Sequence, residues 1–296
     1  MSHDARNWRS EALGPVQTLE IGGHRIPAHV TGEGPPIVFV HGALVNANLW
    51  RKVVPLLDGY TRVTLDLPLG SHLEPQGEGA DLSVPALAGL ISGALEALDL
   101  SDATVVGNDT GGALTQIAAT TDPEGVGRLV LTSCDAFDNF PPRLFRVLFA
   151  PARTPAVLAA LLAPLRIPKA RRLPIAYGWL SKRPVDRPAM DSYVLPVLGD
   201  AGVRRDVVRV LDGLDISHTL QAAQRLRSFD RPVLVAWSKE DHFFPPEHAE
   251  RLAALVPDGK LEWIEDSLTF SPEDQPERLA GLIRSFVPAR APARNG

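Results

Sequence analysis

Short apolar runs typical of buried strands alternate with helical segments along most of this 296-residue chain. Buried parallel strands form continuous apolar runs, whereas the helices that connect them repeat apolar residues every three or four positions. The alternation therefore predicts an α/β fold, in which a mainly parallel sheet is covered by helices on both faces and binds ligands at the carboxyl ends of its strands. The predicted strands are Val16–Ile21, Arg25–Thr31, Ile37–Val40, Arg62–Leu65, Ala103–Val106, Arg128–Thr132, Arg231–Trp237 and Leu261–Ile264.

The middle of the chain departs from this alternation. Helices are predicted at Asn46–Leu57 and Ser83–Leu98, but between residues 136 and 229 prolines interrupt a segment of otherwise helical character. Because long loops without structure are uncommon, this segment is predicted to be a helical cap inserted into the core. The predicted core comprises residues 1–135 and 230–290, and residues 291–296 are predicted to be a disordered tail.

Composition indicates an ordinary globular protein. Hydrophobic residues make up 45% and charged residues 22% of the chain, with a net charge of -5. Basic and acidic residues are interspersed, so nucleic acid is not an expected partner. The N-terminus has no apolar signal region, no apolar stretch is long enough to span a membrane, and Cys134 is the only cysteine. We therefore expect a cytoplasmic protein without disulfides or a membrane partner; the oligomeric state is left open.

The stretch Val105–Gly112, written VVGNDTGG, joins a buried strand, a glycine-rich turn and the start of a helix. The glycines permit the close backbone approach that such a sharp turn requires. The turn presents Asp109, whose carboxylate is costly to desolvate unless the site uses its charge. The following helix start favours negative charge. The pattern is typical of a nucleophile elbow with Asp109 in the nucleophile's position.

Over roughly residues 16–286, the chain resembles the α/β-hydrolases that carry a cap. The resemblance rests on HGALVNANLWRKVVPLL, on GNDTGG and on VAWSKEDHFFPPEHAERL. An aspartate at the elbow resembles the haloalkane dehalogenase and epoxide hydrolase branch. This implies that Asp109 attacks an electrophilic carbon to form an ester, which a histidine-activated water then hydrolyses. It also implies an oxyanion hole formed by the backbone N–H groups of Ala43 and Thr110, and it implies no metal or organic cofactor.

In this branch an acidic residue orients the catalytic histidine. The resemblance assigns this role to Asp241, and Asp135, which follows an earlier strand, is a rival. The histidine itself is missing, because Thr269 stands at its position. A threonine hydroxyl cannot accept a proton near neutral pH, so the second half of the reaction lacks its usual base. His72 lies in a loop that borders the active site in this fold and is the preferred replacement. Three other histidines lie on or beside carboxyl-end loops: His41, His242 and His248.

Two comparisons within this branch bear on the substrate. Dehalogenases hold the halide with two side-chain donors, but the corresponding positions, Thr110 and Ala43, offer one hydroxyl. Epoxide hydrolases use cap tyrosines to donate to the opening ring, and Tyr177 and Tyr193 fall in the predicted cap, although Leu44 replaces the proline of the His-Gly-x-Pro motif.

The expected function is therefore hydrolysis of a small apolar electrophile, more like an epoxide hydrolase than a dehalogenase. Two alternatives stay open. One is a non-hydrolytic elimination, rearrangement or cyclisation on the same fold, and the other is a ligand-binding pseudoenzyme.

Overall fold

A computed structural model describes residues 5–288, so the predicted tail at 291–296 lies outside the described residues. The strands are β1 Val16–Ile21, β2 His24–Thr31, β3 Pro36–Val40, β4 Thr61–Leu65, β5 Ala103–Asp109, β6 Val126–Cys134, β7 Val233–Ser238 and β8 Gly259–Ile264. They form one sheet in the order β1-β2-β4-β3-β5-β6-β7-β8. β2 is antiparallel to β1 and β4, and the other neighbouring strands are parallel. The predicted mainly parallel sheet is confirmed.

Helices cover the sheet. Those described are α1 Val84–Ala97, α2 Thr110–Thr121, α3 Arg143–Phe149, α4 Pro155–Leu162, α5 Arg187–Gly199, α6 Ala201–Gly213, α7 Ile216–Leu226, α8 Pro246–Leu255, α9 Ser271–Asp274 and α10 Pro276–Phe286. α1, α2, α7 and α8 contact one another in that order, and α10 packs on β7 and β8. Every residue of β7 is buried although successive side chains point to opposite faces. Both faces of the central sheet are therefore covered, which explains its continuous apolar runs.

One predicted helix is wrong. The segment Asn46–Leu57 forms two short 3-10 helices, Ala47–Trp50 and Val54–Leu56, in place of an α-helix. Pro55 lacks an N–H group and so cannot take part in an α-helical ladder. At the start of the segment, the Ala47 N–H donates to Asp66 Oδ1 at 2.7 Å, so a side chain from the end of β4 orients this turn.

Five helices, α3 to α7, lie between β6 and β7, within the segment predicted as a cap. α4, α5 and α6 pack against one another, whereas α7 packs against α2 beside the sheet. Among residues 5–288, no helix combines the length and the apolar character needed to cross a bilayer.

Candidate active site

The parallel strands bring several sequence-predicted residues to one edge of the sheet. β3, β5, β6 and β7 are consecutive neighbours in the sheet and run in the same direction. Their carboxyl ends lead to Ala43, Asp109, Asp135 and Asp241, respectively. Carboxylates far apart in sequence are therefore grouped at the edge where an α/β sheet binds ligands.

Asp109 occupies a sharp bend between β5 and α2. Its φ of 55° and ψ of -133° lie in a region of backbone angles that residues other than glycine rarely adopt. Such backbone strain clusters at functional sites. A Cβ atom on Gly42 would collide with the Asp109 carboxylate, and one on Gly111 would collide with the His41 carbonyl. The glycines therefore let the His-Gly loop approach the elbow closely.

Asp109 lines a cavity of about 310 Å³. The described lining residues are Ala43, Leu44, Asp109, Thr110, Pro141, Pro142, Phe145, Leu148, Phe149, Leu161, Leu162, Pro164, Leu165, Ala170, Leu173, Ile175, Ala176, Tyr177, Leu180, Leu211 and Leu214. Only Asp109, Thr110 and Tyr177 contribute polar side chains, and no histidine is among these residues. The volume suits a small organic molecule, and the walls suit an apolar one.

Burial raises the pKa of Asp109 from its ordinary value to about 7, and the nearby Asp241 carboxylate adds to this increase. Hydrogen bonding from the backbone N–H of Thr110 opposes the shift because it favours the charged form. Thr110 is the first residue of α2, where N–H groups have no partner within the helix. Asp109 therefore changes its charge near neutral pH.

The side chain of Asp135 contacts that of Thr110. Its Oδ2 accepts a hydrogen bond from Thr110 Oγ1 at 3.3 Å, and its Oδ1 has no partner among the described residues. Burial, together with the charge of Asp109, raises the pKa of Asp135 well above its ordinary value. The protonated form of Asp135 is therefore favoured, and its side chain contacts Thr110 and not the histidine position.

Asp241 lies beside the position of the missing histidine. Thr269 Oγ1 donates to Asp241 Oδ1 at 3.1 Å, and the same oxygen accepts from the N–H groups of Phe243 at 2.8 Å and Phe244 at 2.9 Å. Asp241 Oδ2 is buried without a hydrogen-bond partner among the described residues. Burial raises the pKa of Asp241 to about 6, against the effect of these donors. Of the two candidate acids, Asp241 is the one whose carboxylate contacts residue 269.

Asn108 is a site residue that sequence reasoning missed. Its Nδ2 donates to the Thr269 carbonyl at 2.8 Å and to Thr132 Oγ1 at 2.9 Å. It thereby connects the elbow strand to β6 and to the loop that carries Thr269. The only sequence signal was a polar residue directly before Asp109, at the end of an apolar run.

The loop containing Thr269 is also fixed to the helical insertion. Asp274 accepts hydrogen bonds from Ser181 Oγ at 2.8 Å and from the N–H groups of Lys182 at 3.0 Å and Arg183 at 2.9 Å. It also accepts from the Leu268 N–H at 3.0 Å. Thr269 is fully buried, so its side chain is held in place.

The structure does not place His72 in the cavity lining. His72 Nδ1 accepts from the Gly70 N–H at 3.2 Å, which leaves Nε2 to donate to Asp206 Oδ2, also at 3.2 Å. Both ring nitrogens therefore have partners other than Asp109. The prediction that His72 supplies the missing base gains no support from this placement.

The other three candidate histidines also lie outside the described cavity lining. His41 Nδ1 lies 2.8 Å from the Gly42 carbonyl, its Nε2 accepts from the Leu67 N–H at 2.9 Å, and burial lowers its pKa. His242 is exposed, with its ring 5.0 Å from that of Trp179. The His248 ring packs edge-on against Phe137, and the cavity lining includes none of the three.

The two cap tyrosines have different environments. Tyr177 lines the cavity, and its hydroxyl donates to the Leu44 carbonyl at 2.7 Å. Tyr193 is fully buried and is not part of the cavity lining. Its ring stacks on that of Tyr177, with the two ring centroids 6.3 Å apart. Of the two predicted substrate-binding tyrosines, the structure brings only Tyr177 to the site.

Comparisons with known proteins agree with this architecture. The family profile described as alpha/beta hydrolase fold matches residues 35–276. An uncharacterised protein of Mycobacterium tuberculosis is 28% identical over 308 residues, covering 96% of this chain and 84% of that protein. The uncharacterised hydrolase YugF of Bacillus subtilis is 26% identical, covering 94% of this chain and 99% of that protein.

A solved structure with a similar fold is the haloalkane dehalogenase DbeA from Bradyrhizobium elkani. Its TM-score is 0.75 at 20% identity, and the match covers 92% of this chain and 97% of that one. At this level of identity the similarity concerns the fold alone.

Proposed function

The chain belongs to the α/β-hydrolase fold family, and we propose that it is an enzyme of this family in which Asp109 attacks an electrophilic carbon of a small apolar molecule. The observation that carries the proposal is the placement of Asp109. Its carboxylate, on a strained elbow, is the only one among the described residues that line the cavity. A buried carboxylate in apolar surroundings is poorly solvated, which favours its attack on carbon.

The first half of the reaction forms one bond and breaks one. An Asp109 oxygen attacks the substrate carbon, an ester bond forms, and the leaving group departs with its electron pair. In an epoxide, the leaving group is the ring oxygen, which remains attached to the product and takes a proton from the Tyr177 hydroxyl. The Tyr177 hydroxyl would exchange its present bond to Leu44 for one to the substrate.

The arrangement around Thr110 favours an epoxide over an alkyl halide. A departing halide needs side-chain donors that replace its hydration shell. Ala43 has none, and the Thr110 hydroxyl is directed to Asp135 Oδ2. A phenol in the cavity wall meets the requirement of an opening epoxide ring instead.

The second half, hydrolysis of the ester, lacks its usual base. The backbone N–H groups of Ala43 and Thr110 supply an oxyanion hole for water attack on the ester carbonyl. The Thr269 hydroxyl donates to Asp241 and cannot serve as the base, and no histidine is present among the described lining residues. We therefore expect the ester on Asp109 to be long-lived.

Incubation of the purified protein with styrene oxide and with 1-bromohexane, followed by intact-protein mass measurement, tests this function. The expected result is a mass increase equal to the epoxide, located on Asp109 by peptide mapping, with slower labelling by the bromide. Absence of an adduct together with absence of turnover, across epoxides, alkyl halides and lactones, would refute an Asp109 nucleophile.

A second candidate function is proton transfer by Asp109 without an ester, in an elimination, rearrangement or ring closure. The observation favouring it is the pKa of about 7, which is suited to a general acid or base at neutral pH. A single turnover in ¹⁸O-labelled water separates the two. Ester hydrolysis introduces solvent oxygen into the Asp109 carboxylate, whereas proton transfer leaves Asp109 unlabelled.

Replacing Tyr177 by Phe is expected to slow labelling by the epoxide by about 10²-fold and to leave labelling by the bromide nearly unchanged, because only the epoxide needs a proton. Tyr193→Phe is the matched control. Tyr193 stacks on Tyr177, but its hydroxyl has no hydrogen-bond partner among the described residues, so we expect no effect. Equal slowing of both reagents by Tyr177→Phe would indicate that the tyrosine shapes the cavity and does not donate a proton.

A further inference from the structure

Residues 139–185, which we call the rim segment, have a charge opposite to that of the protein. This stretch contains nine Lys and Arg residues and no Asp or Glu, in a chain whose net charge is -5. The sequence-based expectation of interspersed charge is therefore wrong for this segment. Its cations are Arg143, Arg146, Arg153, Arg166, Lys169, Arg171, Arg172, Lys182 and Arg183.

Five of these nine cations have no acidic partner among the described residues. Arg153, Arg171, Lys182 and Arg183 form ion pairs with carboxylates outside the rim segment. The other five are exposed and form no ion pair with a described carboxylate: Arg143, Arg146, Arg166, Lys169 and Arg172. A local positive field thus remains on this surface.

The same segment contains most of the large apolar residues that are exposed among the described residues. Within residues 5–288, ten large apolar residues are exposed, and seven belong to the rim segment. They are Leu144, Val147, Val157, Ile167, Leu173, Ile175 and Trp179. Val147, on α3, is 76% exposed, and no residue of α3 is buried. Clustered exposed apolar residues mark an interaction surface.

Two of these seven side chains lie at the opening of the cavity. Leu173 and Ile175 both line the cavity and are about half exposed, so the cavity reaches the surface there. The ring of Phe243 lies 4.8 Å from that of Phe145 on α3 and 6.3 Å from that of Trp179. Phe243 therefore connects Trp179 to α3, and α3 contributes Phe145 to the cavity lining.

We propose that the rim segment docks the protein on an anionic lipid bilayer, with the exposed apolar residues entering the boundary between headgroups and acyl chains. Cationic surfaces with exposed apolar residues bind such membranes by combining electrostatic attraction with apolar burial. Nucleic acid would satisfy the cations but leave the apolar residues in water. The docked orientation places the cavity mouth against the bilayer, from which an apolar molecule can enter. This inference does not depend on the chemistry of Asp109, and it replaces the sequence-based expectation of no membrane partner.

Sedimentation of the full-length protein with sucrose-loaded vesicles tests the proposal. We expect binding to vesicles containing phosphatidylglycerol, little binding to pure phosphatidylcholine, and weaker binding as salt increases. Each cation near the surface contributes about fivefold to the affinity. Arg143→Glu and Val147→Glu should each weaken binding by about tenfold, since both place a negative charge against an anionic surface.

The matched controls lie elsewhere on the protein. Val16 is 59% exposed in β1, and Arg227 is exposed after α7. Val16→Glu and Arg227→Glu make the same chemical changes and should leave binding unchanged, and circular dichroism confirms that all four variants are folded. Absence of binding to anionic vesicles would overturn the proposal. So would equal effects of the rim and control variants, or tight binding of duplex DNA that is unaffected by Val147→Glu.

Discussion

Replacement of Asp109 by Asn is expected to abolish adduct formation and, at the same time, to stabilise the protein at alkaline pH. The amide is a poor nucleophile, so labelling and turnover should fall by about 10³-fold or more. The shape of the side chain is nearly unchanged, so the cavity and the elbow should persist. Intact-protein mass measurement with the epoxide gives the first effect.

The stability effect follows from the pKa of Asp109, which is raised by burial from 3.8 to about 7. Below pH 3.8 the carboxyl group is protonated in both the folded and the unfolded protein. As the pH rises towards 7, the unfolded chain has lost the proton while the folded protein still holds it, so the free energy of unfolding decreases. Each pKa unit corresponds to about 1.4 kcal/mol, so the full decrease is on the order of 4 kcal/mol.

Urea unfolding at pH 4 and at pH 8 measures this difference. Asp109→Asn should be more stable than the wild type at pH 8 by several kcal/mol on the same linkage argument, and nearly equal to it at pH 4. Asp230→Asn, at an exposed position, is the control and should show no such pH dependence. A stability gain of the same size at both pH values would contradict a raised pKa at Asp109. The rate of labelling of the wild type should also increase about tenfold per pH unit below 7 and level off above it.

Replacement of Thr269 by His is expected to shorten the lifetime of the ester on Asp109 by about 10²- to 10⁴-fold, the usual contribution of a positioned general base. Thr269 already donates to Asp241 Oδ1 at 3.1 Å. A histidine there would donate one ring N–H to the same oxygen and leave its other nitrogen free to accept a proton from water. Loss of the adduct after removal of excess reagent, followed by mass, measures the lifetime.

Thr269→Val is the matched control, since it removes the hydroxyl without adding a base and should leave the ester long-lived. Because Thr269 is fully buried, a smaller substitution is tested beside the larger histidine. Thr269→Ala with added imidazole supplies the base without requiring the protein to pack a larger side chain. If neither the histidine variant nor imidazole shortens the adduct lifetime, the lack of a base at position 269 does not limit hydrolysis.

The predicted elements agreed with the structure where a local pattern has a single physical reading. The run Val233–Ser238 is wholly apolar apart from its last residue and forms a strand buried on both faces. The segment Asn46–Leu57 is apolar enough for a helix, but Pro55 and the contact from Asp66 divide it into short turns. The contact from Asp66 comes from a residue distant in sequence, so no local pattern could show it.

The distribution of charge along the chain was visible in the sequence but was not predicted. The whole-chain balance concealed the rim segment, although its nine cations and absence of acids are visible in the sequence. What could not be read there is that Leu173 and Ile175 form the mouth of the cavity, since this depends on how the insertion packs over the elbow.

The sequence by itself determined the α/β class and the presentation of Asp109 at a glycine-rich turn, because strand burial and turn geometry depend on neighbouring residues. Only the tertiary structure decided which groups surround Asp109. It placed Asp135 against Thr110, Asp241 against Thr269, and both nitrogens of His72 on partners outside the cavity. These contacts join residues from different strands and loops, and their distances follow from strand order and helix packing, which act across the whole chain.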